Sequence, residues 1–174
     1  MKAVRVHELG GPEVLRYEEI PAPQPNTNQA LVKIEAAGVN YLDIYYRSGF
    51  HWGGHHQRPL PHVPGAEGAG TIVAVGAEVN DVKVGDRVAY GISNGYGSYA
   101  EYFALPAWHL MQVPAAIDFQ KAAAVMLQGM TAHYLTHSTF PITPHDTVLI
   151  HAAAGGTGLL LIQLAKMRGA KVTS

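Results

Sequence analysis

Hydrophobic and polar positions change rhythm once along the chain. Up to about residue 116, short runs rich in Val, Ile, Tyr and Phe are separated by Gly and Pro, and several alternate apolar with polar. The pattern predicts strands over 3–7, 15–20, 30–37, 70–75, 86–90, 99–105 and 110–113. Breaks fall at Gly10-Gly11-Pro12, 21–28, 59–65 and 94–97, where turn residues cluster. Many short strands at this spacing imply a sandwich or barrel. From Asp118 the pattern becomes helical. Asp118 is placed to cap an alanine-rich helix over 119–137, which Gly129 is expected to interrupt. Pro141 and Pro144 then break the chain. An apolar strand over 147–151, a glycine turn, a helix over 159–168 ended by Gly169, and a strand from 170 to 173 read as the opening of a βαβ unit.

The chain has 174 residues, more than one typical domain of about 100–150 and less than two. With 48% hydrophobic and 14% charged residues it has a globular composition. Its net charge of −1 supplies no basic excess for phosphate neutralisation, which argues against nucleic acid as a partner. No apolar run approaches the roughly 20 residues of a membrane span, and charges within the first seven residues do not fit a secretory signal. There is no cysteine, which excludes disulfides, thiolate metal sites and cysteine nucleophiles within this sequence. A cytoplasmic location is the expectation that remains.

The strongest local motif is Ala153-Ala154-Gly155-Gly156-Thr157-Gly158, between an apolar strand and a helix. In that setting Gly155 allows a pyrophosphate to approach the backbone, Gly158 allows the helix to pack close to the strand, and the helix start offers free N–H groups. Ala153 stands where a G-x-G-x-x-G fingerprint has its first glycine. The bland reading is a glycine-rich turn with no ligand.

Pieces along the whole chain extend the pattern. They include Gly10–Leu15 (GGPEVL), Ala36-Ala37-Gly38-Val39-Asn40, Pro64–Gly70 (PGAEGAG), Val84–Val88 (VGDRV), Ser98–Tyr102 (SYAEY), the AAAGGTG turn and Ile162–Lys166 (IQLAK). Together, in collinear order, they resemble the zinc-independent quinone oxidoreductases, the zeta-crystallin-like branch of the medium-chain dehydrogenase/reductase superfamily. The resemblance implies an α/β protein. A GroES-like, partly open β-barrel would occupy 1–122, and the start of a doubly wound Rossmann domain 123–174. It also implies NADPH, preferred over NADH, as hydride donor to a quinone or an activated double bond, and a homodimer.

What the resemblance implies for individual residues follows. Asn40 and Tyr45 would line the pocket beside the nicotinamide, with Tyr45 as hydrogen-bond donor to developing charge on the substrate oxygen. From spacing alone, Tyr45 and Tyr46 read as packing residues. Asn40, Gln128, Thr131, Ala154, Gly155, Gly156, Thr157 and Gly158 would meet the cofactor, and Thr157 either reaches a phosphate or caps the helix. Asp43 is expected to act as a cap or support rather than as a base. No metal is assigned: Asn40 and Ala66 occupy the places of a Cys and a His ligand in zinc-dependent relatives. His51, His55, His56 and His62, with Trp52, are read as shaping the substrate entrance.

Relatives of this kind run to about twice the length. The chain therefore reads as the N-terminal half of a reductase, with strand edges at 147–151 and 170–173 that a second copy would cover. Two other readings remain: a non-catalytic dimerisation or binding module, and an alkene or enoyl reductase.

Overall fold

A computed structural model describes residues 1–50, 59–91 and 97–173. The fold is α/β and divides into two compact units, Met1–Ala124 and Val125–Ser174.

The first unit is built from antiparallel strands. β1 (Lys2–Val6) pairs with β2 (Leu15–Glu19). β3 (Gln29–Ala37), β4 (Glu67–Val75), β5 (Arg87–Gly91), β6 (Tyr102–Pro106) and β7 (Met111–Gln112) form a five-stranded sheet in the order β6-β3-β4-β5-β7. Between β3 and β4 lies the helix α1 (Tyr41–Ser48). Among the described residues the sheets are open rather than closed into a barrel. Ala30 and Val32 from β3, Ile72 from β4, Val88 and Tyr90 from β5 and Leu105 from β6 meet in one core and are almost wholly buried. Each large aliphatic side chain buried this way contributes about 1.5–3 kcal/mol. Opposite them, Lys33 and Glu35 of β3 stay exposed, giving the alternation that the sequence displays.

In the second unit, β8 (Thr147–Leu149) and β9 (Lys171–Thr173) pair in parallel, Thr147 opposite Lys171 and Leu149 opposite Thr173. They are joined through α3 (Gly156–Met167), completing one βαβ crossover. Ile142, Ala165 and Ala170 form its core with Val148 and Val172 packed against them. Gly169, at φ +84°, ends the helix as expected. The helix α2 (Phe119–Tyr134) starts in the first unit and ends in the second, and a π turn, Leu135–Thr139, continues it. Among the described residues no helix is long and apolar enough to cross a membrane.

Four expectations are corrected. Gly129 does not interrupt α2. A Cβ there would sit 2.8 Å from Val125 Cγ2 and 3.9 Å from Leu160 Cδ1, so the glycine provides room rather than a break. The strand expected from 99 starts at Tyr102, because residues 99–101 pair elsewhere first: Tyr99 O accepts from Val4 N–H and Glu101 N–H donates to Lys2 O. The helix expected from 159 starts at Gly156, taking residues of the glycine turn into its first turn. α1 had no predicted element, although Asn40 before it and Gly49 after it, at φ +75°, are helix boundary residues.

Candidate functional site

In the first unit the candidate residues gather at the start of α1. Asn40 is the N-cap and forms a capping box with Asp43, three positions on. The Asn40 N–H donates to Asp43 Oδ2 at 2.9 Å, and the Asn40 Nδ2 donates to Glu67 Oε1 at 2.8 Å. Glu67 opens β4 and is only 1% exposed. The same Asp43 Oδ2 accepts from the Tyr99 hydroxyl at 2.9 Å. One buried carboxyl thus holds the Asn40 amide, and another holds its backbone. Gly38 makes this possible: a Cβ there would overlap the Glu67 carboxyl.

Burial sets the protonation behaviour of this cluster. It pushes the Asp43 carboxyl above its ordinary range, against the lowering pull of the Asn40 N–H and the Tyr99 hydroxyl. Burial, and then the adjacent Asp43 charge, push the Tyr99 phenol well above its ordinary value. Tyr99 therefore remains a donor across the physiological range.

Asn40 and Arg47 also face a cavity of about 270 Å³ walled by Leu15, Val39, Ile44 and Pro64. Positions 40, 44 and 47 share one face of α1 by helical spacing. Tyr45 lies off that face and does not line the cavity. Its ring meets Tyr41 edge-on at 5.2 Å and Phe50 at 5.0 Å. These are contacts between packed aromatic rings, and among the described residues this cavity is lined by Asn40 and not by Tyr45. Asp43 supports the helix start, as expected. Glu67 was missed by sequence reasoning, although a lone carboxylate among the small and apolar residues of β4 was the available signal.

In the second unit the glycine turn and α2 meet. Gly155 is the N-cap of α3, so Thr157 lies within the first turn and is not the cap. The first intrahelical bond runs from Leu159 N–H to Gly155 O at 2.9 Å. The N–H groups of Gly156, Thr157 and Gly158 precede it and find no acceptor within the helix. The Gln128 amide lies over the turn: a Cβ on Gly156 would overlap Gln128 Oε1 and come within 2.8 Å of its Nε2. A Cβ on Gly158 would collide with Ala152 O and the Ala153 backbone, so the helix start packs close against the turn, where the sequence placed it against the strand. Ala152, not Ala153, carries the left-handed conformation, at φ 52°. That costs a residue with a side chain about 1–2 kcal/mol. The exposed Ala154 precedes Gly155 in the turn. Thr131, on α2 one turn past Gln128, donates its hydroxyl to Leu127 O at 2.7 Å and keeps only acceptor capacity.

The turn fits a dinucleotide phosphate on these observations: adjacent N–H groups without helical acceptors and glycines that leave the backbone bare. His51, Trp52, His55 and His56 lie outside the described residues. His62 is half-buried, and its backbone exchanges hydrogen bonds with Val6.

Residues 26–115 match the model of the alcohol dehydrogenase GroES-like domain. A quinone oxidoreductase from Pseudomonas aeruginosa is 42% identical over 174 residues, covering 98% of this chain and 51% of the relative. The crystal structure of a quinone oxidoreductase from Pseudomonas syringae matches with a TM-score of 0.91 at 43% identity, over 98% of this chain and 51% of that one. The Escherichia coli quinone oxidoreductase, solved complexed with NADPH, matches with a TM-score of 0.90 at 40% identity, over 99% and 51%. The chain spans about half the length of the curated relatives it matches.

Proposed function

The chain belongs to the alcohol dehydrogenase GroES-like domain family, with the medium-chain dehydrogenase/reductase fold, and on that premise we propose that it is part of a zinc-independent, NADPH-linked quinone oxidoreductase. The observation that carries this reading is the glycine turn of the second unit, with free N–H groups at Gly156, Thr157 and Gly158 and the Gln128 amide over Gly156. Residues 1–122 are assigned to the catalytic GroES-like domain and 123–174 to the cofactor-binding domain.

In this reading the turn from Ala154 to Gly158 binds the pyrophosphate, and Gln128 and Thr131 line the cofactor's approach. Thr131 serves as an acceptor only, since its hydroxyl proton is committed to Leu127 O. When bound, NADPH supplies the hydride that, with one proton, takes a quinone to its hydroquinone. Asn40 orients a carbonyl or carboxamide through an amide whose Nδ2 is already fixed on Glu67. Tyr45, with its hydroxyl unbonded among the described residues, or water supplies the proton. Asn40 and Ala66 offer an amide and a methyl where a zinc site needs ligands, which supports chemistry without the metal. The protein is proposed to act in the cytoplasm as a homodimer.

Fluorescence titration of the chain with NADPH, with NADH alongside, tests the reading. Saturable binding, tighter for NADPH, is expected. No binding by a cooperatively folded sample would overturn it for this chain and favour a non-catalytic binding module. In a protein that turns over, Tyr45→Phe should lower kcat more than it weakens NADPH binding, and an unchanged kcat would remove Tyr45 from proton supply. A quinone and enone panel separates a quinone reductase from an alkene or enoyl reductase.

A further inference from the structure

A histidine pair at the end of α2 has no part in the proposed reduction. His133 and His137 are one helical turn apart and straddle the point where α2 passes into the π turn. Their rings stack with centroids 4.1 Å apart and planes within 10°. His133 is exposed and His137 half-buried.

The surroundings of His137 settle its tautomer. Its Nδ1 lies 3.0 Å from His133 O and 2.8 Å from Thr136 Oγ1. A carbonyl only accepts. The buried Thr136 hydroxyl has its own carbonyl acceptor, Ala132 O, at 2.8 Å. In the neutral ring Nδ1 therefore carries the proton, and Nε2 carries the lone pair. An imidazole whose one N–H is anchored to a backbone carbonyl, with the other nitrogen presented as a base, is the arrangement that metal-ligating histidines adopt. A second imidazole stands on the same helix face, its ring centroid 4.1 Å away. Two neutral imidazoles suit borderline divalent ions such as Zn²⁺, Ni²⁺ and Cu²⁺, at metal–nitrogen distances of about 2 Å.

We propose that His133 and His137 form a two-histidine chelate for a divalent transition-metal ion, oriented by Thr136 and the His133 carbonyl. Water completes the coordination. The near-parallel rings tilt on binding so that both lone pairs meet at one point, through rotation of the His133 ring while His137 keeps its Nδ1 anchor. Among the described residues no cluster of three or more ligating side chains offers a rival site. The bound ion clamps the α2-to-π junction and stabilises the second unit by mass action.

Copper or zinc titration tests this in a His51→Ala/His55→Ala/His56→Ala background, which removes three competing imidazoles. Substoichiometric Cu²⁺ should broaden the His133 and His137 ring resonances before those of other histidines. By calorimetry, Zn²⁺ should bind one ion per chain. His133→Ala and His137→Ala should each weaken it by about tenfold or more, and Thr136→Val by about tenfold. Helix content in EDTA should be unchanged. If His137→Ala loses helix, the exposed His133→Ala carries the same comparison. Equal Zn²⁺ affinity with and without His133, or broadening that starts at other histidines, overturns the proposal.

Discussion

The two units treat their polar groups in opposite ways. In the first, Asn40, Asp43, Glu67 and Tyr99 direct hydrogen bonds at one another inside the protein. In the second, the start of α3 leaves backbone N–H groups without helical acceptors and strips nearby positions of side chains. A buried cluster whose members bond one another fixes the direction in which a side chain points. A bare backbone turn fixes nothing about its ligand except charge and closeness. The first unit is thus built to orient and the second to admit. Four strands contribute to the core of the first, whereas Ile142, Ala165 and Ala170 form that of the second.

The comparison can be broken by substitution. Glu67→Ala should have the largest effect, about 3 kcal/mol off the stability of the first unit. It leaves the Asn40 amide buried beside a cavity. Equilibrium urea unfolding measures it, and a loss well under about 1 kcal/mol would show that the cluster does not hold the unit. Gly158→Val should follow, at about 2 kcal/mol, through collision with Ala152 and Ala153. Its effect on thermal unfolding should be confined to the second unit. Ala152→Gly works the other way. Relief of the left-handed backbone at φ 52° should stabilise the second unit by about 1 kcal/mol, read from the same urea curves.

The smallest effect concerns pH. The Asp43 carboxyl is raised in the folded state, so its contribution to stability is fully present below the ordinary carboxylate pKa of 3.8 and is lost as pH rises through the folded value. Asp43→Asn removes that dependence. Wild-type stability minus variant stability should therefore fall as pH increases from about 4 toward neutrality, and a constant difference would contradict the raised carboxyl.

Much of this is legible in the sequence. Alternation locates the strands of the first unit, and the strand–glycine–helix order locates the glycine turn. The family follows from short motifs in collinear order. What escapes depends on contacts distant in sequence. α1 hides because Tyr41, Ile44, Tyr45 and Tyr46 have strand-like preferences, and the helix is held by its caps and the buried Asp43. Glu67 looks like any strand carboxylate until Asn40, 27 positions earlier, is seen donating to it. Helical spacing sends Asn40 and Tyr45 to different faces of α1. The spacing of His133 and His137 is visible in the chain, but the proton position that makes one a ligand requires Thr136 and two carbonyls to be in place.

The single oxygen of Asp43 that serves both Asn40 and Tyr99 also bears on the order of folding. The bond to Asn40 closes within three residues, but the bond to Tyr99 spans 56. Local helix formation takes less than about a microsecond, whereas contacts of such separation wait on the closure of long loops. The full set of bonds to Asp43 is therefore a late product of folding, complete only when the chain has travelled out through β4 and β5 and returned to bring Tyr99 home.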